Sequence, residues 1–152
     1  MTASALFAFL HFVAVFGIFA TVFLEWQTMS PAPTLGEAKR MQRCDRWYGL
    51  FAVLLLVVGF LRVFYFEKGS QYYFHSAPFI AKLSLFVLIG LLSIYPTIQF
   101  LSWRAALKQG RIPSVDARTL RAIRIVIHVE LTAIIFLILF AALMARGIGY
   151  VG

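Results

Sequence analysis

The chain has 152 residues, 62% of them hydrophobic, with a net charge of +8 and mean hydropathy +0.88. A soluble domain carries roughly 45–50% apolar residues, so a water-exposed fold of this composition would aggregate. The basic charge does not point to nucleic acid, because the bases cluster in two loops and no aromatic-basic binding module accompanies them.

Four apolar runs are long enough to cross hydrocarbon about 30 Å thick, which takes about 20 helical residues. In chain order they are Ala3–Trp26, Tyr48–Phe66, Pro78–Leu101 and Ile125–Ala145. Backbone polar groups must be satisfied inside lipid, so each run reads as a helix. The expected fold class is all-α: one domain over residues 1–152, a membrane bundle of four transmembrane helices. The first run has no preceding basic residue and is too long for the apolar part of a signal peptide.

Between the first and second runs lie Lys39, Arg40, Arg43 and Arg46, and between the third and fourth Arg104, Lys108, Arg111, Arg118, Arg121 and Arg124. The other side has Lys68 and Arg146. Ten bases against two place the basic loops in the cytoplasm and both termini outside, in a bacterial inner (plasma) membrane. Cys44 falls in a basic loop and reads as an ordinary reduced thiol with no intrachain disulfide partner.

Local signals extend the spans. Thr34-Leu35-Gly36-Glu37 reads as a capping box, so the second helix begins near Leu35 as a basic amphipathic segment. Ser76 is placed to cap the third helix, with Pro78 in its tolerant first turn. Pro96 lies inside that helix, Gly110 stops it, and Ser114 after Pro113 is the expected start of the fourth.

Ionisable groups inside a span are costly and mark function by default. His11 lies ~12 Å below the outer boundary at ~1.5 Å per residue. It shares a seven-residue face with Ser4, Ile18 and Glu25, and Phe7, Phe12 and Phe19 lie on or beside that face as an expected apolar wall for a flat ring. Lys82 lies ~6 Å below the same boundary, on a face continued by Phe86, Ile89, Ser93 and Pro96. Arg62 is at a similar depth on the second helix, one turn beyond Gly59. Lys82 and Arg62 either snorkel to the headgroups or pair with carboxylates such as haem propionates. His128 is offset from His11 by roughly 10 Å in depth, and Glu130 stands ~200° around the helix from it. A single haem bridged by the two histidines is therefore disfavoured, and only one of His128 and Glu130 can face the bundle interior. The chain has no Cys/His zinc spacing, phosphate-cradling glycine loop, G-x-S-x-G elbow or clustered copper ligands.

Leu10-His11-Phe12-Val13-Ala14-Val15, Gly59-Phe60-Leu61-Arg62, Glu67-Lys68-Gly69, Pro78-Phe79-Ile80-Ala81-Lys82-Leu83 and the run from Arg124 to Glu130 together resemble a bacterial family of predicted membrane proteins known as a domain of unknown function. The likeness covers nearly the whole chain. More distantly the chain is similar to the membrane protoporphyrinogen oxidase family that carries b-type haem, and to the copper-resistance D family. In the oxidase family a first-helix histidine and a third-helix lysine are important, and His11 and Lys82 match them in type and order. The resemblance implies the bundle and a haem b site.

Three functions follow as expectations. The first is a haem b redox protein, an oxidoreductase if an enzyme. His11 would be its metal ligand, Lys82 and Arg62 would hold the cofactor (Lys82 alternatively as second ligand), and a quinone or porphyrin would be its partner. The second is a transport or permeation component in which His11, Lys82 and Glu130 line a polar path, completed by a homodimer. The third is a scaffold whose intramembrane charges are internal pairs, with lipid headgroups or another protein at its basic surface.

Overall fold

Helix α1 starts where the Thr2 hydroxyl accepts the Ala5 N–H, and it runs unbroken from Ala3 to Thr28. The computed structural model describes residues 2–66 and 74–149, so Glu67, Lys68 and Gly69 lie outside the described residues. Helix α2 (Leu35–Leu61) ends in a π-helical turn over Arg62–Phe66. Helix α3 (Ala77–Ser102) is followed by the short α4 (Arg104–Lys108), and α5 spans Ala117–Ala145. Among the described residues four helices, α1, α2 with its π-helical turn, α3 with α4, and α5, are long and apolar enough to cross a membrane. The bundle is all-α as expected, with α1 packed chiefly on α2, α3 chiefly on α5, and α1 also touching α5.

The surface explains the solvent. Phe12, Phe16, Val53, Leu91 and Ile135 are 60–72% exposed. In water such a surface would drive association, whereas hydrocarbon accepts it without cost. The largest buried side chains, Phe100, Met41, Ile123, Ile127 and Val22, gather toward the end that carries the basic loops. There the first turns of α2 extend the bundle. Ala38, Met41, Cys44 and Asp45 turn inward while Lys39, Arg40, Arg43 and Arg46 stay exposed. Gln42 Nε2 ties this segment to α3 by donating to the Phe100 carbonyl at 2.9 Å.

The helix ends test the local readings. Thr34 and Glu37 form the expected capping box: the Thr34 hydroxyl accepts from the Glu37 N–H, and the Glu37 carboxylate accepts from the Thr34 N–H at 2.7 Å. Gly110 takes the left-handed conformation (φ 69°) after the third span. Helix α3 continues through Pro96 to Ser102. Two expectations are corrected. Ser76 holds the N-cap position without a side-chain cap bond: the Phe79 N–H goes instead to the Ser76 carbonyl at 3.0 Å, and the Ala77 N–H to the Gly149 carbonyl at 3.1 Å. Helix α5 begins after Asp116, not Ser114. The Asp116 carboxylate accepts from the Thr119 N–H at 2.9 Å and the Thr119 hydroxyl at 2.7 Å. A charged acceptor at a helix N-terminus serves better there than a serine hydroxyl.

Those hydrogen bonds from Thr119 hold the Asp116 carboxyl below its ordinary value of 3.8. The folded form therefore gains stability from the ionised group above the unfolded value and loses it as pH falls through the lowered one. Asp116→Asn does not ionise. The gap in thermal midpoint between wild type and this variant is expected to narrow from about pH 6 to about pH 3, measured in one detergent throughout.

Two glycines mark where α1 meets α2, and they differ. A Cβ on Gly17 would lie 2.5 Å from the Phe51 ring, a distance real Cβ atoms do not reach. A Cβ on Gly59 would meet His11 at 3.8 Å, an ordinary contact. Gly17→Ala is expected to destabilise by about 1–3 kcal/mol through overpacking, and Gly59→Ala by much less. Unfolding in mixed micelles compares the pair directly.

Candidate functional site

Polar side chains enter the bundle in two layers. The first lies near the ends of α1, α2 and α3 remote from the basic loops. The seven-residue repeat turns Ile18 and Glu25 fully inward, and half-buries His11 on the same face. The His11 ring rests against Gly59 of α2, where the missing side chain allows the approach. Its Nδ1 is buried and has no hydrogen-bond partner. The charges of Arg62 and Lys82 both act on the ring, and Arg62 acts on Lys82. The Lys82 ammonium lies 5.5 Å from the centre of the Phe79 ring, within cation–π range.

The structure thus gathers the three expected site residues, one each from α1, the end of α2, and α3. The aromatic wall is corrected. Phe12 and Phe19 are 68% and 41% exposed and face outward, with Phe12 edge-on to His11 at 6.4 Å between ring centres and Phe19 stacked on Phe23. A helix turns 100° per residue, so a residue next to an inward histidine cannot share its direction.

His128 stands apart from this layer. It is exposed on α5, and both its nitrogens are engaged. Trp26 Nε1 donates to Nε2 at 3.1 Å, and Nδ1 lies 2.7 Å from the Arg124 carbonyl. A carbonyl accepts only, so Nδ1 carries the proton and Nε2 spends its lone pair on Trp26. Neither nitrogen is left for a metal.

Glu130 is the residue of that pair that faces inward, and it belongs to the second layer, at the basic-loop end. It is 2% exposed and hydrogen-bonded to Ser93 of α3. The Ser93 Oγ also lies 2.6 Å from the Tyr48 hydroxyl and 2.8 Å from the Ile89 carbonyl. Beside them the Thr97 hydroxyl donates to Asp45 at 2.6 Å. Glu25, 4% exposed, has a buried Oε1 with no partner, and Asp45 and Glu130 are the charges that act on it. At ~1.5 Å per residue, the 14 positions from His11 to Glu25 separate the two layers by ~21 Å along α1.

Sequence reasoning missed Asp45, Tyr48 and Thr97 as members of one layer. Asp45 stands among four bases and reads as a compensating surface charge. The signal was periodicity: Ala38, Met41, Asp45, Tyr48, Ala52 and Leu55 recur at three- and four-residue steps, the inward stripe of α2. Among the described residues no group of three or more histidine, cysteine or acidic side chains has the geometry to hold a metal ion. The first layer offers a single imidazole with two cations. The second offers carboxyls and hydroxyls.

No curated protein and no solved structure matches this chain. One family does, described as "Predicted membrane protein (DUF2214)", and its match runs over residues 3–149. That range takes in all four long helices and both polar layers, and the chain belongs to this family of membrane proteins.

Proposed function

We propose that the chain is a redox protein of the bacterial inner membrane that binds b-type haem at the His11 layer. The observation that carries this reading is the buried, unpartnered Nδ1 of His11, on whose ring the charges of Arg62 and Lys82 act. A buried polar atom left unsatisfied costs about 1–3 kcal/mol, and natural structures retain one chiefly where something else uses the group. The donor set fits the cofactor: an imidazole for the iron and two cations for its propionates, with no carboxylate among the charges acting on His11.

His11 is the ligating residue, held at its depth by the approach to Gly59. Arg62 and Lys82 bind and orient carboxylates, Arg62 through a planar fork and Lys82 as a point charge. When bound, haem b supplies one-electron chemistry. The exposed apolar surface keeps the site in contact with lipid-soluble partners, for which a quinone or a porphyrin is the fitting class. The basic loops set the orientation, with the His11 end toward the periplasm.

The test is a titration of haem into the cofactor-free protein in nanodiscs, followed at the Soret band. Saturation at one haem per chain, with affinity weakened about tenfold in Lys82→Ala (~1.4 kcal/mol), supports the assignment. Unsaturable uptake that is the same in His11→Ala and in empty nanodiscs refutes it.

A further inference from the structure

The second layer has no part in haem binding, and its composition is unusual for a bundle interior. Glu25 of α1, Asp45 of α2 and Glu130 of α5 are all more than nine-tenths buried. The charges acting on Glu25 are Asp45 and Glu130, and Asp45 acts on Glu130. The other groups facing the layer are Cys44 and Tyr48 on α2 and the neutral hydroxyls of Ser93 and Thr97 on α3. Arg40 and Arg43 act on Cys44 from the exposed side of α2. On α5, Arg124 reaches the Met29 carbonyl and His128 is bound to Trp26, so neither faces the carboxyls.

Bonding in the layer is short of protons. Ser93 has one hydroxyl hydrogen and three polar neighbours: Tyr48, Glu130 and the Ile89 carbonyl. If Tyr48 donates to Ser93 and Ser93 to Glu130, the Ile89 carbonyl loses this donor. If a protonated Glu130 donates to Ser93, Ser93 is free to serve Ile89. One proton on Glu130 thus reverses the Ser93–Glu130 hydrogen bond, while Tyr48 donates to Ser93 in both states. Independently of these bonds, the buried Glu25 Oε1 is an acceptor with no partner, and the charges acting on Glu25 are those of this layer, Asp45 and Glu130.

The basic-loop end carries a hollow near this layer. A hollow of about 550 Å³ is lined by Gln27, Thr28, Thr34, Gly36, Glu37 and Arg40. Thr28 is one helical turn from Glu25, ~4.5 Å along the axis. Water in the hollow therefore comes within a turn of the buried acid.

We propose that Glu25, Asp45 and Glu130, with Tyr48, Ser93 and Thr97, form a proton-binding site loaded from water in the hollow beside Thr28. A proton leaves water there, is held on Glu25, and is shared with the Asp45 and Glu130 carboxyls. It returns by the same path when the medium turns alkaline. No oxidant or other reactant is needed, and the site stands whether or not the His11 layer binds haem.

Infrared difference spectroscopy of the full chain in nanodiscs of neutral lipid reads the site through the C=O stretch of protonated carboxyls. Wild type is expected to show such a band at neutral pH, to shift it in heavy water and to lose it in alkaline buffer. Glu25→Gln and Glu130→Gln each remove part of the band, and both variants keep the shape of the side chain. Gly36→Trp, at an exposed position on the hollow, slows deuterium exchange of the band severalfold and leaves its amplitude unchanged. A folded wild type with no band at neutral pH overturns the proposal. So does a band untouched by both glutamine variants, or exchange as fast in Gly36→Trp as in wild type. A band that appears only when sodium and potassium are withdrawn also overturns it, by revealing an alkali cation as the occupant.

Discussion

His11→Ala is expected to abolish the Soret absorbance of the purified protein while leaving helical content close to wild type and the thermal midpoint close to that of haem-free wild type. Both halves follow from the same geometry. In the proposed site the imidazole would be the ligating group, and Arg62 and Lys82 would not replace it, since a guanidinium has no lone pair to offer and a charged ammonium has none either. Stability is spared because the buried Nδ1 has no hydrogen bond to lose. Deleting a buried polar atom that is already unsatisfied removes a penalty that offsets part of the lost packing. The alanine leaves space beside Gly59, and the half-buried position keeps that loss modest. Absorbance and a thermal melt on the same sample decide the matter. A midpoint well below that of haem-free wild type would mean that His11 is structural, and an undiminished Soret band would remove it as the ligand.

The second large effect is structural. Ser93→Ala is expected to lower stability by about 1–3 kcal/mol, more than a buried Ser-to-Ala change with a single hydrogen bond would. Ser93 connects Tyr48 of α2 and Glu130 of α5 through one oxygen on α3. Removing that oxygen strands the Tyr48 hydroxyl and the Glu130 carboxyl, neither of which has another hydrogen bond among the described residues. Tyr48→Phe leaves Ser93 its bonds to Glu130 and the Ile89 carbonyl, strands no neighbour and should cost less. Because all three groups belong to one chain, the double variant Ser93→Ala/Tyr48→Phe should cost clearly less than the sum of its parts. Unfolding in mixed micelles measures all three, and strict additivity would show that the groups do not act as a chain.

The architecture was legible because lipid allows so few solutions. Run length and loop charge led to four helices, and Thr34 with Glu37 marked the start of α2 to the residue. The first layer was legible for a related reason. An imidazole, a guanidinium and an ammonium within apolar runs stand out, and helical spacing brings their depths close. Contacts that depend on rotation about a helix axis were harder. Phe12 and Phe19 sit beside the inward face in sequence yet point out of it, because one step turns the direction by 100°. The Asp45 charge was masked by its basic neighbours, and its role appears only once α2 and α3 are side by side and Thr97 is within reach. Asp116 outcompeted Ser114 as a cap through a second bond, to the Thr119 hydroxyl, that a start-signal rule does not weigh.

The two layers give α1 a shared role. One face of one helix carries His11 toward one end and Glu25 toward the other, with Ala14, Ile18, Thr21 and Val22 buried between them. The proposed haem site and the proposed proton site would thus stand ~21 Å apart on a single helix.

The most direct test is a reduced-minus-oxidised optical spectrum of the protein purified in mild detergent from cells with ample haem, none being added afterwards. The account predicts one b-type haem per folded chain, reducible by dithionite. A folded, monodisperse protein that comes out colourless from such cells would contradict it.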